Sequence, residues 1–567
     1  MLIRIAHDAV HAKVIDADRE IKLLISEMLS YQVENTQHMK GVSKGWSGQS
    51  SFFNMKKDSF PSGFVRMIKN KLERQGHRVK IINKPLPEPK GKLLKCPQGW
   101  VYDERYNYQS ETVRRLLRLG GIIAMVATGG GKSVICQLAY HAIQRPSLFL
   151  TTRKSLMYQM AEGFEEISGT NTGIIGDGKY DPQHITCATV DTIVSHLEVL
   201  HPQVHLEAQI EKIEEEALKS AKQALKREKL PFSDNIIRTA SNDIKKKVRV
   251  VREKAINDVR SKYDKEALWK ASVRKHEKQK QRRAKILQFL KSIEFVVLEE
   301  AHEISGNGYY EILGHCNNAY YRLALTATPF LKDSQEANMR LMARTGPVGI
   351  KVTERELIDK GILARPYFRY ITLPKAERVF RGTNWQRAQR FGIVENLQRN
   401  KYIIKECLIA KKYDLPIMTL VTQKAHGKWL EAALNKVGVK AKFIFGDHEQ
   451  KERAAALEDL KTKKIDALIG STILDVGVDV PAVGLVILAG GGKAEVSLRQ
   501  RVGRGLRAKK EMPNICFIID FMDLSNNHLK KHSQMRLQVI KDTDGFKQGI
   551  LSSNRFDYEL FGLKKRA

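Results

Sequence analysis

Long apolar stretches are missing from this chain. No run of about 20 uninterrupted apolar residues occurs, so a membrane-spanning helix is not expected. The opening residues, Met1 to Asp8, lack the basic start and apolar stretch of a secretory leader, and a cytoplasmic location is expected. Cysteine is scarce, with 6 in 567 residues and no two close enough for a CxxC pair. That spacing speaks against a disulfide or zinc framework and for reduced core thiols such as Cys136, Cys187 and Cys316. Acidic residues are also short, with 63 Asp and Glu against 97 Lys and Arg. The formal net charge of +34 exceeds what solubility needs, so a polyanionic partner is expected, nucleic acid before an anionic membrane surface.

What is present is enough apolar residue, 42%, to build real cores, in a chain too long for one domain. Residues 1–95 read as a small α+β accessory domain closed by the proline-rich stretch Pro85 to Lys92, taken as a linker. Residues 96–345 alternate short apolar runs with helical patterns, as in Gly121 to Val126, Ser147 to Leu150, Ile185 to Ala188 and Phe295 to Leu298. Such alternation predicts a parallel sheet covered by helices on both faces. The pattern restarts in residues 346–525, with runs at Ile417 to Val421, Lys442 to Phe445, Ala467 to Ile469, Leu485 to Leu488 and Ile515 to Ile519. A basic tail, residues 526–567, follows; His528, Lys530, Lys531, His532, Arg536 and Lys541 fit one helix, and either solvent or DNA could face it.

Residues 204–291 break the rhythm. Apolar residues recur at threes and fours from Ile210 to Ala224 and again from Ile236 to Tyr263, with Pro231 between them and Ser233 or Asp234 placed to cap a new helix. The pattern predicts a helical hairpin inserted between two strands. Its Lys and Arg outnumber Asp and Glu by about two to one, which suits a nucleic-acid-gripping arm, a solvated spacer or a protein-docking arm.

Val126-Ala127-Thr128-Gly129-Gly130-Gly131-Lys132-Ser133 follows a predicted strand and opens a helix. Glycines let backbone N–H groups close around phosphates, Lys132 would neutralise them, and Ser133 would hold Mg²⁺ through its hydroxyl. Val126 stands where the common pattern has its first glycine. Downstream, the apolar run from Phe295 ends in Glu299-Glu300-Ala301-His302. Two carboxylates at a strand end can hold a metal shell (Glu299) and take a proton from water (Glu300).

At these residues the chain resembles the superfamily 2 helicases, with a DEAH- or DExH-type acidic box. The resemblance implies two tandem RecA-like parallel-sheet motor domains that use ATP and Mg²⁺. Tyr108 and Gln109 resemble its adenine-recognising element, beside Thr128, Gly129, Gly130 and Gly131 of the phosphate loop. Thr152 and Arg153, then Thr189, resemble blocks that hold the nucleic-acid backbone. Thr326 and Thr328, with His302, resemble the elements coupling hydrolysis to domain movement. Ser471 and Thr472, with Gly477, Asp479 and Pro481, resemble the fifth block, where the first two imply backbone contact and Gly477 and Asp479 nucleotide contact. Gln500, Arg504 and Arg507 resemble the sixth block, which implies arginine fingers, worth about 10³–10⁵ in rate where such fingers act. The likeness covers residues 105–525 outside the insertion.

One departure stands out. Glu299 replaces the usual Asp, moving the carboxylate by about one C–C bond at a cation that demands octahedral geometry.

Within the superfamily the chain is similar to the phage UvsW-type helicases, related in activity to RecG. The similarity lies in the order Gly45-Trp46-Ser47-Gly48, Phe60-Pro61-Ser62-Gly63-Phe64 and Gln75-Gly76-His77. It implies work on branched DNA in replication, recombination and repair, in a host cytoplasm if the gene is a phage's. The alternatives are an RNA helicase with the same motor, an ATP-binding DNA clamp with impaired hydrolysis, and the motor subunit of a restriction system. No complete nuclease motif accompanies the last.

Overall fold

The structure, a computed structural model, describes residues 2–33, 48–301, 307–327, 334–446, 448–470, 483–492, 502–503, 505–509, 512–552 and 555–565. It divides into two units, residues 191–292 and the remainder.

The larger unit contains three main sheets. The first has the strand order Ser59–Pro61, His11–Ile15, Leu2–His7, Arg78–Asn83. Phe60 and Phe64 lie in its core, as do Ile21 and Ile25 of helix Arg19–Met28. Gly45, Trp46 and Ser47 lie outside the described residues. This small domain sits on helix Gln335–Thr345. Gly63 stands so near it that an added Cβ would come 2.0 Å from the Met342 carbonyl oxygen, and Met339 and Ala343 belong to the small domain's core. Gln335 also reaches Gln32 N–H (3.3 Å) and the Ser30 carbonyl (3.4 Å).

The second sheet has eight strands, ordered Lys179–Asp181, Gly173–Gly176, Ile185–Thr189, Ser147–Thr151, Phe295–Glu299, Tyr321–Thr326, Gly121–Val126, Val348–Val352. All are parallel except the hairpin of the first two. The central strands are buried along their whole length, which is why they read as unbroken apolar runs. The third sheet is wholly parallel, ordered Arg365–Leu373, Ile515–Asp523, Leu485–Leu488, Ile417–Leu420, Ala467–Gly470, Ala441–Ile444. Two parallel α/β sheets in tandem are the expected motor architecture.

Several expectations need correction. The expected boundary at 345 falls short, because Val348–Val352 pairs with Gly121–Val126 and completes the second sheet. The proline-rich stretch is no free linker: Lys90 and Gly91 donate to the carbonyls of Ile143 and Ala142, and Tyr321 donates to Pro87. The basic tail is built into the third sheet's layer. Arg536, on helix Asn527–Asp542, is buried against Asp520 at 2.8 Å, while Phe556 and Tyr558 join the core. A buried, paired arginine cannot meet DNA.

The smaller unit corrects the hairpin. It holds three long helices, Pro202–Arg227, Asn242–Arg260 and Lys265–Ser292, the short helix Asp234–Thr239, and all but the first residue of helix Val190–Leu197. The break around Pro231, between Arg227 and Asp234, and the Ser233 cap position follow the sequence signal. The break between Arg260 and Lys265 carries no proline or glycine and was not anticipated. The first helix packs on the other two, tied by Glu214 to Arg260 (2.7 Å) and Gln209 to Ser272 (2.7 Å).

Candidate nucleotide and nucleic-acid site

In parallel sheets, ligands collect beyond the C-terminal strand ends. Here Phe295–Glu299, Tyr321–Thr326 and Gly121–Val126 lie side by side and end together. After Val126 the chain turns through Gly129 (φ +85°) and Gly131 (φ +74°), conformations that favour glycine, and enters helix Lys132–Ile143. No side chain caps that helix, so its first N–H groups remain available to an anion. Gly130 must also be small: an added Cβ would come 2.6 Å from Val126 Cγ1.

A cavity of about 650 Å³ opens here, lined by Thr128, Lys132, Ser133, Glu299, Glu300 and, from the far side, Gly503 and Arg507. Glu299 is buried, and its Oε2 has no hydrogen-bond partner among the described residues. Burial raises its carboxyl well above the ordinary range, Lys132 opposes this, and Glu300 adds to it. A buried oxygen without a donor among the described residues, in a cavity that Ser133 also lines, fits a hard cation such as Mg²⁺. Glu300 adopts φ +51°, a costly conformation for a non-glycine residue of the kind that gathers at functional sites.

The structure brings Gln109, Thr128, Gly129, Gly131, Lys132, Ser133, Glu299, Glu300 and Arg507 to one cavity. Tyr108 is placed differently. It is buried behind the phosphate loop, with its hydroxyl donating to the Gly130 carbonyl at 2.7 Å. Tyr106 lines the cavity instead, with Trp100 and Lys95. Nothing local in the sequence marks these three; only the folded chain carries them to the cavity.

Thr152 and Arg153 follow strand Ser147–Thr151, with Arg153 at the N-cap position of helix Lys154–Ser168. Thr189 ends the neighbouring strand but is buried under Gly176, which counts against direct strand contact through its hydroxyl. Thr326 is buried at the end of its strand. His302, Thr328, Ser471, Thr472, Gly477, Asp479, Pro481, Gln500 and Arg504 lie outside the described residues.

Known families match the same two segments. Residues 103–331 match the family described as type III restriction enzyme, res subunit, and residues 398–509 match the helicase conserved C-terminal domain. Both motor halves, in order, carry the cavity. In these two segments the chain is similar to the superfamily 2 helicases. Members are ATP-hydrolysing enzymes that bind nucleic acid.

The chain is 25% identical over 246 residues to the protein named "Putative helicase 22" of Sulfolobus islandicus filamentous virus (isolate Iceland/Hveragerdi), covering 41% of this chain and 43% of the relative. It is 33% identical over 132 residues to the ATP-dependent DNA helicase RecG of Escherichia coli O127:H6, covering 22% and 18%. The chain thus spans less than half the length of these curated relatives. The crystal structure of T4 UvsW aligns with 97% of this chain and 99% of that chain, at 16% identity and a TM-score of 0.40. No helix among the described residues is long and apolar enough to cross a membrane.

Proposed function

We propose that this chain is an ATP-driven DNA helicase or translocase acting on branched DNA, in fork regression, branch migration or unwinding of D-loops and R-loops. The observation that carries the motor reading is the single cavity faced by Lys132, Glu299 and Glu300 from one sheet and by Arg507 from the other. ATP would lie with its phosphates at Gly129 to Gly131 and Lys132. Ser133 and Glu299 would hold Mg²⁺, which supplies charge neutralisation on the phosphates. Glu300 would take the proton of the attacking water. Arg507, joined by Arg504 and with Gln500 nearby in sequence, would add positive charge as the two sheets close, so that hydrolysis is tied to closure. Tyr108 would hold the phosphate loop in shape from behind, while Gln109 faces the nucleotide. Gly477 and Asp479 would complete the nucleotide contacts, and His302, Thr326 and Thr328 would couple hydrolysis to domain movement. Thr152, Arg153, Ser471 and Thr472 would grip the strand backbone without reading sequence, and Thr189, buried at its strand end, would support that surface from beneath.

The branched-DNA reading is supported by the RecG likeness and by the accessory domain packed on the first motor half. A basic helix adds grip: Arg274, Lys278 and Lys285 recur on one face of Lys265–Ser292, with Lys275 beside them, all exposed. A role in phage replication, recombination and repair follows the same reading.

The test is steady-state ATPase with Mg²⁺, alone and with single-stranded DNA, duplex DNA, a four-way junction or structured RNA. Strongest stimulation by the junction is expected. Stimulation by RNA alone would make it an RNA helicase. ATP binding with no turnover, restored in Glu299→Asp, would make it a clamp.

A further inference from the structure

The chain passes from the second sheet to the third through residues 361–364. Gly361 turns it at φ +68°. Leu363 then lies against the phosphate loop, where a Cβ on Gly129 would come 2.7 Å from its Cδ2. This crossing segment also touches the Arg507 segment. Ala364 N–H donates to the Leu506 carbonyl at 2.6 Å, and Leu363 and Arg507 form an antiparallel bridge.

Two side chains fasten that contact. Asn514 donates through Nδ2 to the carbonyls of Gly361 and Leu363, both at 3.3 Å, and accepts Lys509 N–H on Oδ1 at 3.1 Å. One amide therefore holds the crossing segment with one end and the Arg507 segment with the other. Lys509 is buried, with 8% exposure, and no carboxylate pairs with it among the described residues. Its Nζ donates to the carbonyls of Gly505 and Arg507, both at 3.3 Å. Burying an ammonium is expensive, and a cation pointed at carbonyls that end a helical turn recovers part of that cost.

We infer that Lys509 and Asn514 are positioning residues for Arg507, fixing its backbone to the crossing segment that rests on the phosphate loop. The inference rests on the proposed finger role of Arg507. Arg507 is thus set against the same glycine loop that would hold the phosphates, and its reach is defined before nucleotide arrives. Burial also keeps the Lys509 ammonium below the ordinary lysine range, consistent with a donor engaged by carbonyls alone.

The experiment compares Lys509→Met, Lys509→Gln and Asn514→Ala with the unmodified full chain. Steady-state ATPase is measured with and without DNA, together with affinity for a fluorescent ADP and the melting temperature. Loss of kcat by tenfold or more in Lys509→Met and Asn514→Ala is expected, with ADP affinity within twofold. Lys509→Gln keeps a donor to the same carbonyls and should lose about threefold; it carries the test if Lys509→Met does not fold. Folded variants with unchanged kcat would overturn the inference. So would equal losses of kcat and ADP affinity, which would mean that the two residues merely support the nucleotide loop. If the unmodified chain itself shows no turnover, the motor reading fails instead, a result separable from either of these.

Discussion

Gly503 stands against Thr128 of the phosphate loop so closely that an added Cβ would come 2.8 Å from the Thr128 Cβ. The two residues belong to different motor halves, so this glycine sets how near the halves approach. Gly503→Ala should force the cleft wider, because that approach is nearer than Cβ atoms tolerate, with overpacking of about 1–3 kcal/mol if it closes. Turnover stimulated by DNA should fall tenfold or more, while melting changes little. A variant with ordinary kcat would show that closure does not need this clearance.

Tyr108 supports the loop from behind. In Tyr108→Phe the Gly130 carbonyl keeps only the longer contact from Gln109 Nε2, at 3.4 Å. Loss of a buried hydrogen bond costs about 1 kcal/mol, so KM for ATP should rise about fivefold with kcat nearly unchanged. Titration of ATPase against ATP concentration measures both. A fall in kcat at constant KM would contradict the support role.

Arg507→Ala should lower turnover by a hundredfold or more, since a finger acts mainly in the closed state. Affinity for ADP should stay within a few fold, whereas Lys132→Ala should weaken both binding and turnover. Equal loss of binding in the two variants would remove the distinction between finger and phosphate clamp.

Arg322 tests the frame of the first motor half. It is buried with no carboxylate hydrogen-bonded to it among the described residues, and donates to the carbonyls of Ala319 (2.8 Å), Cys316 (2.9 Å) and Arg344 (3.0 Å). Two of these lie just after helix Asn307–His315 and one near the end of helix Gln335–Thr345, which bears the accessory domain. Arg322→Met leaves those carbonyls without their donor. A destabilisation of about 3 kcal/mol or more is expected, read by urea unfolding. A loss under about 1 kcal/mol would mean that water replaces the guanidinium.

The basic helix of the insertion predicts a salt effect. Replacing Arg274, Lys275, Lys278 and Lys285 by Gln should flatten the dependence of log K on log salt for duplex DNA. Each phosphate contact contributes about 0.9 to that slope, so a decrease of about two or more is expected. An unchanged slope would remove the helix from the DNA-binding surface.

Much of the motor was legible because its signals are local. The apolar run Gly121 to Val126, three glycines and Lys132 encode strand, turn and helix within a dozen residues, and steric rules leave few alternatives. The run from Phe295 likewise announces its burial and its terminal carboxylates. Signals without such markers were misread. Ser261 to Asp264 end a helix with neither proline nor glycine, and Val348–Val352 alternates exposed and buried residues too briefly to stand out.

The sequence by itself determined the chemistry that neighbouring residues can carry: the phosphate loop, the acidic pair, the basic excess and the two runs of buried strands. Tertiary structure alone decided which of these meet. It placed Tyr108 behind the loop and Tyr106 in the cavity, buried Arg536 against Asp520, and tied Asn514 to Gly361 and Leu363. The reason is physical. Local spacing fixes backbone conformation over a few residues, whereas partners 16 to 153 positions apart are chosen by which buried polar groups can satisfy one another once the sheets are packed.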